Sequence, residues 1–139
     1  CDMFYELDKK LTIKKYNNNA VIFVDRYKMS LAIKNLIDNA LKYGNPNQLI
    51  ELEIKQTESM IKICVTDFGQ GISEEQIQEI IKPLYRGSAA SEQNKTGFGL
   101  GLAITKKIVE AHGGQLIIKS KINKGSTFII QIPIKEHIV

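Results

Sequence analysis

GFGLGLAITKKIVEAHGG, residues 97–114, opens as a loop and closes as a helix. Gly97, Gly99 and Gly101 alternate, so the backbone there can approach a ligand closely and adopt positive φ. Leu102, Ile104, Ile108, Val109 and Ala111 then recur at helical spacing, which predicts a helix from Leu100 to His112 that Gly113 and Gly114 end. A helix starting directly after a glycine loop aims its first free N–H groups, near Leu100 and Leu102, at whatever lies in front of it, and phosphate suits such a terminus. A flexible hinge explains the same glycines. The two readings are compatible, because a loop that closes over a ligand must also hinge.

Upstream stands a second glycine box, DFGQG at Asp67 to Gly71, directly after the alternating run MIKICVTD. With LIELEI before it and a polar turn at Glu58 and Ser59, that run predicts a hairpin ending at Asp67. Ser73 with Glu75 and Gln76 has capping character, so a short helix is expected from about Glu74 to Ile81, stopped by Pro83. Further upstream, Asp25 can cap a long helix carrying Met29, Ile33, Leu36, Ile37, Ala40 and Leu41, ended by Gly44, Asn45 and Pro46. LTIKKY and AVIFV flank an Asn-rich turn, predicting an antiparallel hairpin over Leu11 to Val24. QLIIKS and STFIIQIPI predict a closing hairpin. Arg86 to Phe98 has neither period and reads as a mobile loop. The order of elements implies one α/β two-layer sandwich with the helices on one sheet face.

The chain has 139 residues, a formal charge of +4 and no apolar run long enough to span a bilayer. One domain is expected. The charge suits an anionic ligand, but the lysines are scattered, and no basic run points to nucleic acid. Cys1 and Cys64 lie far apart; Cys64, inside IKICV, reads as a small packed hydrophobe, which fits a reducing compartment. The chain starts without Met and reads as a fragment of something longer.

On the long helix, Asn35, Asp38, Asn39 and Lys42 share a face. Most such faces are simply solvated. Asn is a poor helix former, however, and two of them one turn apart ask for a reason. An Asn carbonyl can be the single protein ligand of a Mg²⁺ that takes its other oxygens from water and nucleotide phosphates, and Lys42 can neutralise a phosphate. Asp67 can accept a hydrogen bond from an adenine amino group, with Gly69 and Gly71 leaving room for the ring; a plain Asp-initiated turn is the alternative.

The set NLIDNALKY, DFGQGI, PLYRG, TGFGLGLAI and KGSTF resembles, in order, the N box, first glycine box, F box, second glycine box and terminal glycine motif of bacterial sensor histidine kinases. The resemblance is to their catalytic, ATP-binding domain and runs from about Asp25 to Ile132. It implies the Bergerat fold, also found in type II topoisomerases, mismatch-repair ATPases and heat-shock chaperones: a mixed, mostly antiparallel sheet, three main helices on one face and a flexible lid over ATP. Carried over, it makes Asn39 the Mg²⁺ ligand, sets Asn35 and Lys42 near the phosphates and Tyr43 against adenine, and makes Asp67 the adenine reader. Gly69, Gly71 and Ile72 would wall the base pocket, and Thr127 would reach the Asp67 side through a water. Gly97, Phe98, Gly99, Leu100, Gly101 and Leu102 would surround the phosphates, with Arg86 steadying the γ-phosphate and Lys95 assisting.

The F box commonly has two phenylalanines around its proline; here Ile81 and Leu84 stand there. Neither His112, closing a helix, nor His137, in the tail, sits in a phosphoacceptor setting, so the acceptor is expected on a dimerisation domain before Cys1, with residues 1–10 as linker. Hydrolases of the superfamily place a Glu base where this chain has Asn35. An amide takes no proton at neutral pH, which favours transfer to an imidazole over attack by water. The resemblance therefore implies a histidine kinase domain, monomeric alone. In the full protein it would be the cytoplasmic part of a membrane-anchored homodimer that signals through a response regulator. A docking module that binds nucleotide without transfer and a motor-like ATPase are the alternatives.

Overall fold

Alternating apolar residues in two neighbouring strands build the centre of the molecule. The computed structural model describes residues 11–15, 22–45, 47–82 and 99–134. The strands are β1 (Leu11–Lys15), β2 (Ile50–Gln56), β3 (Met60–Asp67), β4 (Gln115–Lys121) and β5 (Gly125–Pro133), joined in one sheet of order β1-β2-β3-β5-β4. β1 and β2 run parallel, and the other neighbours are antiparallel. In the β3–β5 register Ile61, Ile63 and Val65 lie opposite Ile132, Ile130 and Phe128, and all six are buried on one face.

Three helices rest on that face: α1 (Arg26–Tyr43), α2 (Glu74–Ile80) and α3 (Gly99–Ala111). Ala32, Leu36 and Ala40 of α1 and Leu102, Ile108 and Val109 of α3 enter the same core, with Ile77 and Ile80 of α2 at its margin. Each fully buried large side chain there contributes about 1.5–3 kcal/mol. The ends of the helices follow their local chemistry. Asp25 accepts from the Lys28 N–H and caps α1, whose last turn closes with the Gly44 N–H on the Ala40 carbonyl. Ser73 and Gln76 form a reciprocal capping box on α2. Gly113 takes φ +76°, and the Gly114 N–H reaches back to the Val109 carbonyl, which ends α3.

One expectation needs correcting. Leu11–Lys15 pairs in parallel with β2, and Ile22 to Val24 form no strand, so the antiparallel hairpin over Leu11 to Val24 is not what the described residues make. Ile22 and Val24 alternate because they pack on the core as the chain enters α1, leaving Phe23 outside. Cys64 is buried and unpaired as expected, but on the sheet face opposite the helices, in register with Ile129. Burial there pushes its thiol pKa up against the pull of Lys55, Lys62 and Lys119, so it stays protonated and unreactive.

His112 fastens the far end of the helical layer. Its Nδ1 lies 2.7 Å from the Ile108 carbonyl, and its Nε2 accepts the Asp25 N–H at 2.9 Å. Both bonds are satisfied by the neutral ring with its proton on Nδ1.

Candidate functional site

β3 ends at Asp67, which the strand's alternation turns toward the helices. Its carboxylate is 4 % exposed and accepts the Gly69 N–H at 3.0 Å. Burial raises its pKa, and backbone hydrogen bonds from Gly69 and Ser126 pull the other way without cancelling the rise. The end of α1 crosses over it so closely that a Cβ on Gly44 would lie 3.1 Å from the Asp67 Cβ.

Asn39, on the buried side of α1, shares one small cavity with Asp67, Gln70, Gly71, Ile72, Ser126 and Phe128. It is 6 % exposed, and its Nδ2 has no hydrogen-bond partner among the described residues. A buried donor left unpaired costs about 1–3 kcal/mol, so this Nδ2 calls for an acceptor. Beside this cavity, Lys42, Gly44, Asn45, Phe68, Gly69, Gln70 and Asn123 line an open cleft of about 460 Å³. Asp67 and the first glycine box thus meet the Asn39 and Lys42 end of α1.

The first glycine box is fastened to the β4–β5 turn. The Ile72 N–H donates to Ser120 Oγ at 2.7 Å, and the Asn123 N–H donates to the Gln70 carbonyl at 2.7 Å. Gly71 takes φ +76° with the Lys121 carbonyl where a Cβ would sit, so only glycine fits. Ser120 also bonds Ser126 Oγ at 2.7 Å and the Gly125 carbonyl at 2.9 Å.

Thr127 lines the same larger cleft as Asp67 but is one residue out of register with it. It lies on the opposite sheet face with its hydroxyl 3.1 Å from that of Thr66, and Ser126 is the residue in register with Asp67. Period-2 alternation carried the signal: Phe128 belongs in the core, so Ser126 shares its face and Thr127 does not. Ser120, Asn123 and Ser126 were missed as residues that hold the site.

Gly99, Leu100 and Gly101 form the first turn of α3, which meets α1 at Asn35, and the side chain of Leu102 is wholly buried in the core. Leu102 therefore offers a ligand its backbone alone. The amide of Asn35 reaches the Gly101 carbonyl at 3.4 Å and Thr105 Oγ1 at 3.5 Å. Tyr43 is the last residue of α1. Arg86, Lys95, Gly97 and Phe98, with the expected mobile loop, lie outside the described residues. A larger cleft of about 860 Å³ between α2 and the β4–β5 turn also touches Asp67 and Ser126. It contains neither Asn39 nor Lys42, so the constellation read from the sequence lies on the other side.

Residues 24–136 match the family of histidine kinase-, DNA gyrase B- and HSP90-like ATPases. The chain belongs to that family. Among individual relatives, the sensor protein SrrB of Staphylococcus aureus is 39 % identical over 118 residues, which cover 85 % of this chain and 20 % of SrrB. This ATPase-family domain thus spans about one fifth of the length of the curated relatives it matches. The nucleotide-free catalytic domain of histidine kinase ThkA superposes with a TM-score of 0.77 over 97 % of this chain and 89 % of that one, at 26 % identity. The mycobacterial sensor histidine kinase MprB has a TM-score of 0.73 over 95 % and 87 %, at 23 % identity, a likeness of fold. The architecture is the Bergerat-type sandwich of the ATP-binding catalytic domain of a sensor histidine kinase. No helix among the described residues is long and apolar enough to cross a membrane.

Proposed function

We propose that this domain binds ATP with Mg²⁺ between α1 and the two glycine boxes and passes the γ-phosphoryl group to a histidine on another domain of the same protein. The orphan amide of Asn39, buried in the cavity it shares with Asp67, carries the reading. One Asp67 oxygen is held by the Gly69 N–H, which aims the carboxylate at the cavity as an acceptor for the adenine amino group. Gly69, Gly71 and Ile72 wall the base, and Tyr43 would stand against it.

Among the described residues no three His, Cys, Asp or Glu gather into a metal cluster. An ion that stays on the nucleotide needs no such cluster; the Asn39 carbonyl oxygen would be its one protein ligand, while the unpaired Nδ2 beside it is a donor that asks for an acceptor oxygen. When bound there, Mg²⁺ supplies neutralisation of the phosphate charge. Lys42 adds a cation beside the phosphates, and α3 turns its first free N–H groups toward them. Arg86 steadies the γ-phosphate with help from Lys95. Asn35 stands where a hydrolase would need a base, and an imidazole nucleophile needs none. The acceptor histidine belongs to a dimerisation domain joined through residues 1–10. The whole protein is a membrane-anchored homodimer with this domain in the cytoplasm, and a response regulator receives the phosphoryl group.

Calorimetric titration with a non-hydrolysable ATP analogue tests the site. Binding is expected to strengthen with Mg²⁺ and to weaken about a hundredfold in Asp67→Asn, which loses a buried charged acceptor. Phosphotransfer to an acceptor domain added in trans should vanish in Asn39→Asp. Full activity in both variants would sink the assignment, and binding without transfer would leave a nucleotide-docking module.

A further inference from the structure

Thr105 is the one polar side chain of α3 with no exposure at all, placed among Leu102, Ile108 and Val109, where a purely apolar side chain would cost nothing to desolvate. Its hydroxyl donates to the Gly101 carbonyl at 2.8 Å. The Asn35 amide of α1 points at the same carbonyl, 3.4 Å away, and at the Thr105 oxygen, 3.5 Å away. One N–H shared between two acceptors explains why each distance is long. Gly101 ends the second glycine box, so the triangle holds the first turn of α3 against the Asn-bearing face of α1.

We propose that Thr105 is a positioning residue for the phosphate end of the nucleotide. It rests on the ATP reading above. The hydroxyl touches no ligand; it orients the Gly101 carbonyl and presents its own oxygen to Asn35, so that the N–H groups of Gly99, Leu100 and Gly101 keep a fixed aim. Asn35 acts through this contact rather than on the phosphates. A base and sugar without phosphates engage the Asp67 end alone and are indifferent to it.

Thr105→Val keeps the shape and removes the hydroxyl. Its affinity for a non-hydrolysable ATP analogue should fall roughly tenfold, its affinity for adenosine should be unchanged by NMR titration, and Thr105→Ser should restore the first value. Equal losses for both ligands, or none for either, would overturn the proposal. In a double-mutant cycle with Asn35→Ala the two losses should overlap, whereas additive losses would mean that Asn35 meets the phosphates directly. If Thr105→Val does not fold, hydrogen exchange in nucleotide-free Asn35→Ala decides: faster exchange at the Ala103 to Thr105 amides is expected, and unchanged protection overturns the idea. A wild-type domain that binds no ATP analogue would overturn the ATP reading itself, a result distinct from intact binding that ignores Thr105.

Discussion

The first glycine box is stitched to the β4–β5 turn at Ile72 and Gln70, whereas the described tie between α1 and the start of α3 is the shared amide of Asn35. The first box is thus held at 2.7 Å by a backbone bond to the Gln70 carbonyl and a serine hydroxyl on the Ile72 N–H, and the start of α3 by a side-chain contact of 3.4–3.5 Å. A reader of one fixed ring gains from rigidity, while a clasp for phosphates must let them in and out.

The strongest way to break that contrast is to loosen the rigid end. Gly71→Ala sets a Cβ at positive φ against the Lys121 carbonyl. It should cost about 2 kcal/mol, read as a fall in Tm of roughly 6 °C. A variant as stable as the parent would mean that the first glycine box is not held as described.

Acidity probes the same end with a smaller effect. Burial raises the Asp67 pKa above its unfolded value, so the charged form costs the fold stability. That cost is full above the raised pKa and disappears as pH falls toward the ordinary carboxylate value; stability from this group therefore rises on acidification across that window. Adenosine binding should move the opposite way, because protonation removes the charged acceptor. Affinity in the parent should decline toward that of Asp67→Asn as pH drops, and a flat profile would detach Asp67 from the base. The smallest expected effect sharpens the boundary of the site. Thr127→Val removes a hydroxyl that meets Thr66 on the sheet face opposite the helices, and ATP-analogue affinity should stay within about twofold. A larger loss would return Thr127 to the site.

Much of this arrangement was legible because short-range rules produce it. Asp25, Ser73 and the Gly113–Gly114 pair gave helix ends through local capping chemistry, and alternation gave β2 to β5 nearly to the residue. Asp67 could be singled out because a strand meets a glycine turn there. The parallel partner of β1 was not legible: alternation says which residues share a face and nothing about which strand lies alongside. The role of Asn35 was hidden for a similar reason, since its partner is 66 residues away. Ser126 was the avoidable miss, because one step of parity from Phe128 puts it on the core face, which Thr127 does not share.

The two bonds of His112 set a length scale for motion. The bond to the Ile108 carbonyl fixes the ring on α3, and the bond from the Asp25 N–H pins it to the cap of α1, while the glycine end meets α1 a whole helix away. Thirteen residues make an arm about 20 Å long. Seen as a lever, a swing of about 10° around the pinned histidine carries Gly99 through roughly 3 Å, close to one hydrogen-bond length, and leaves the fulcrum almost still.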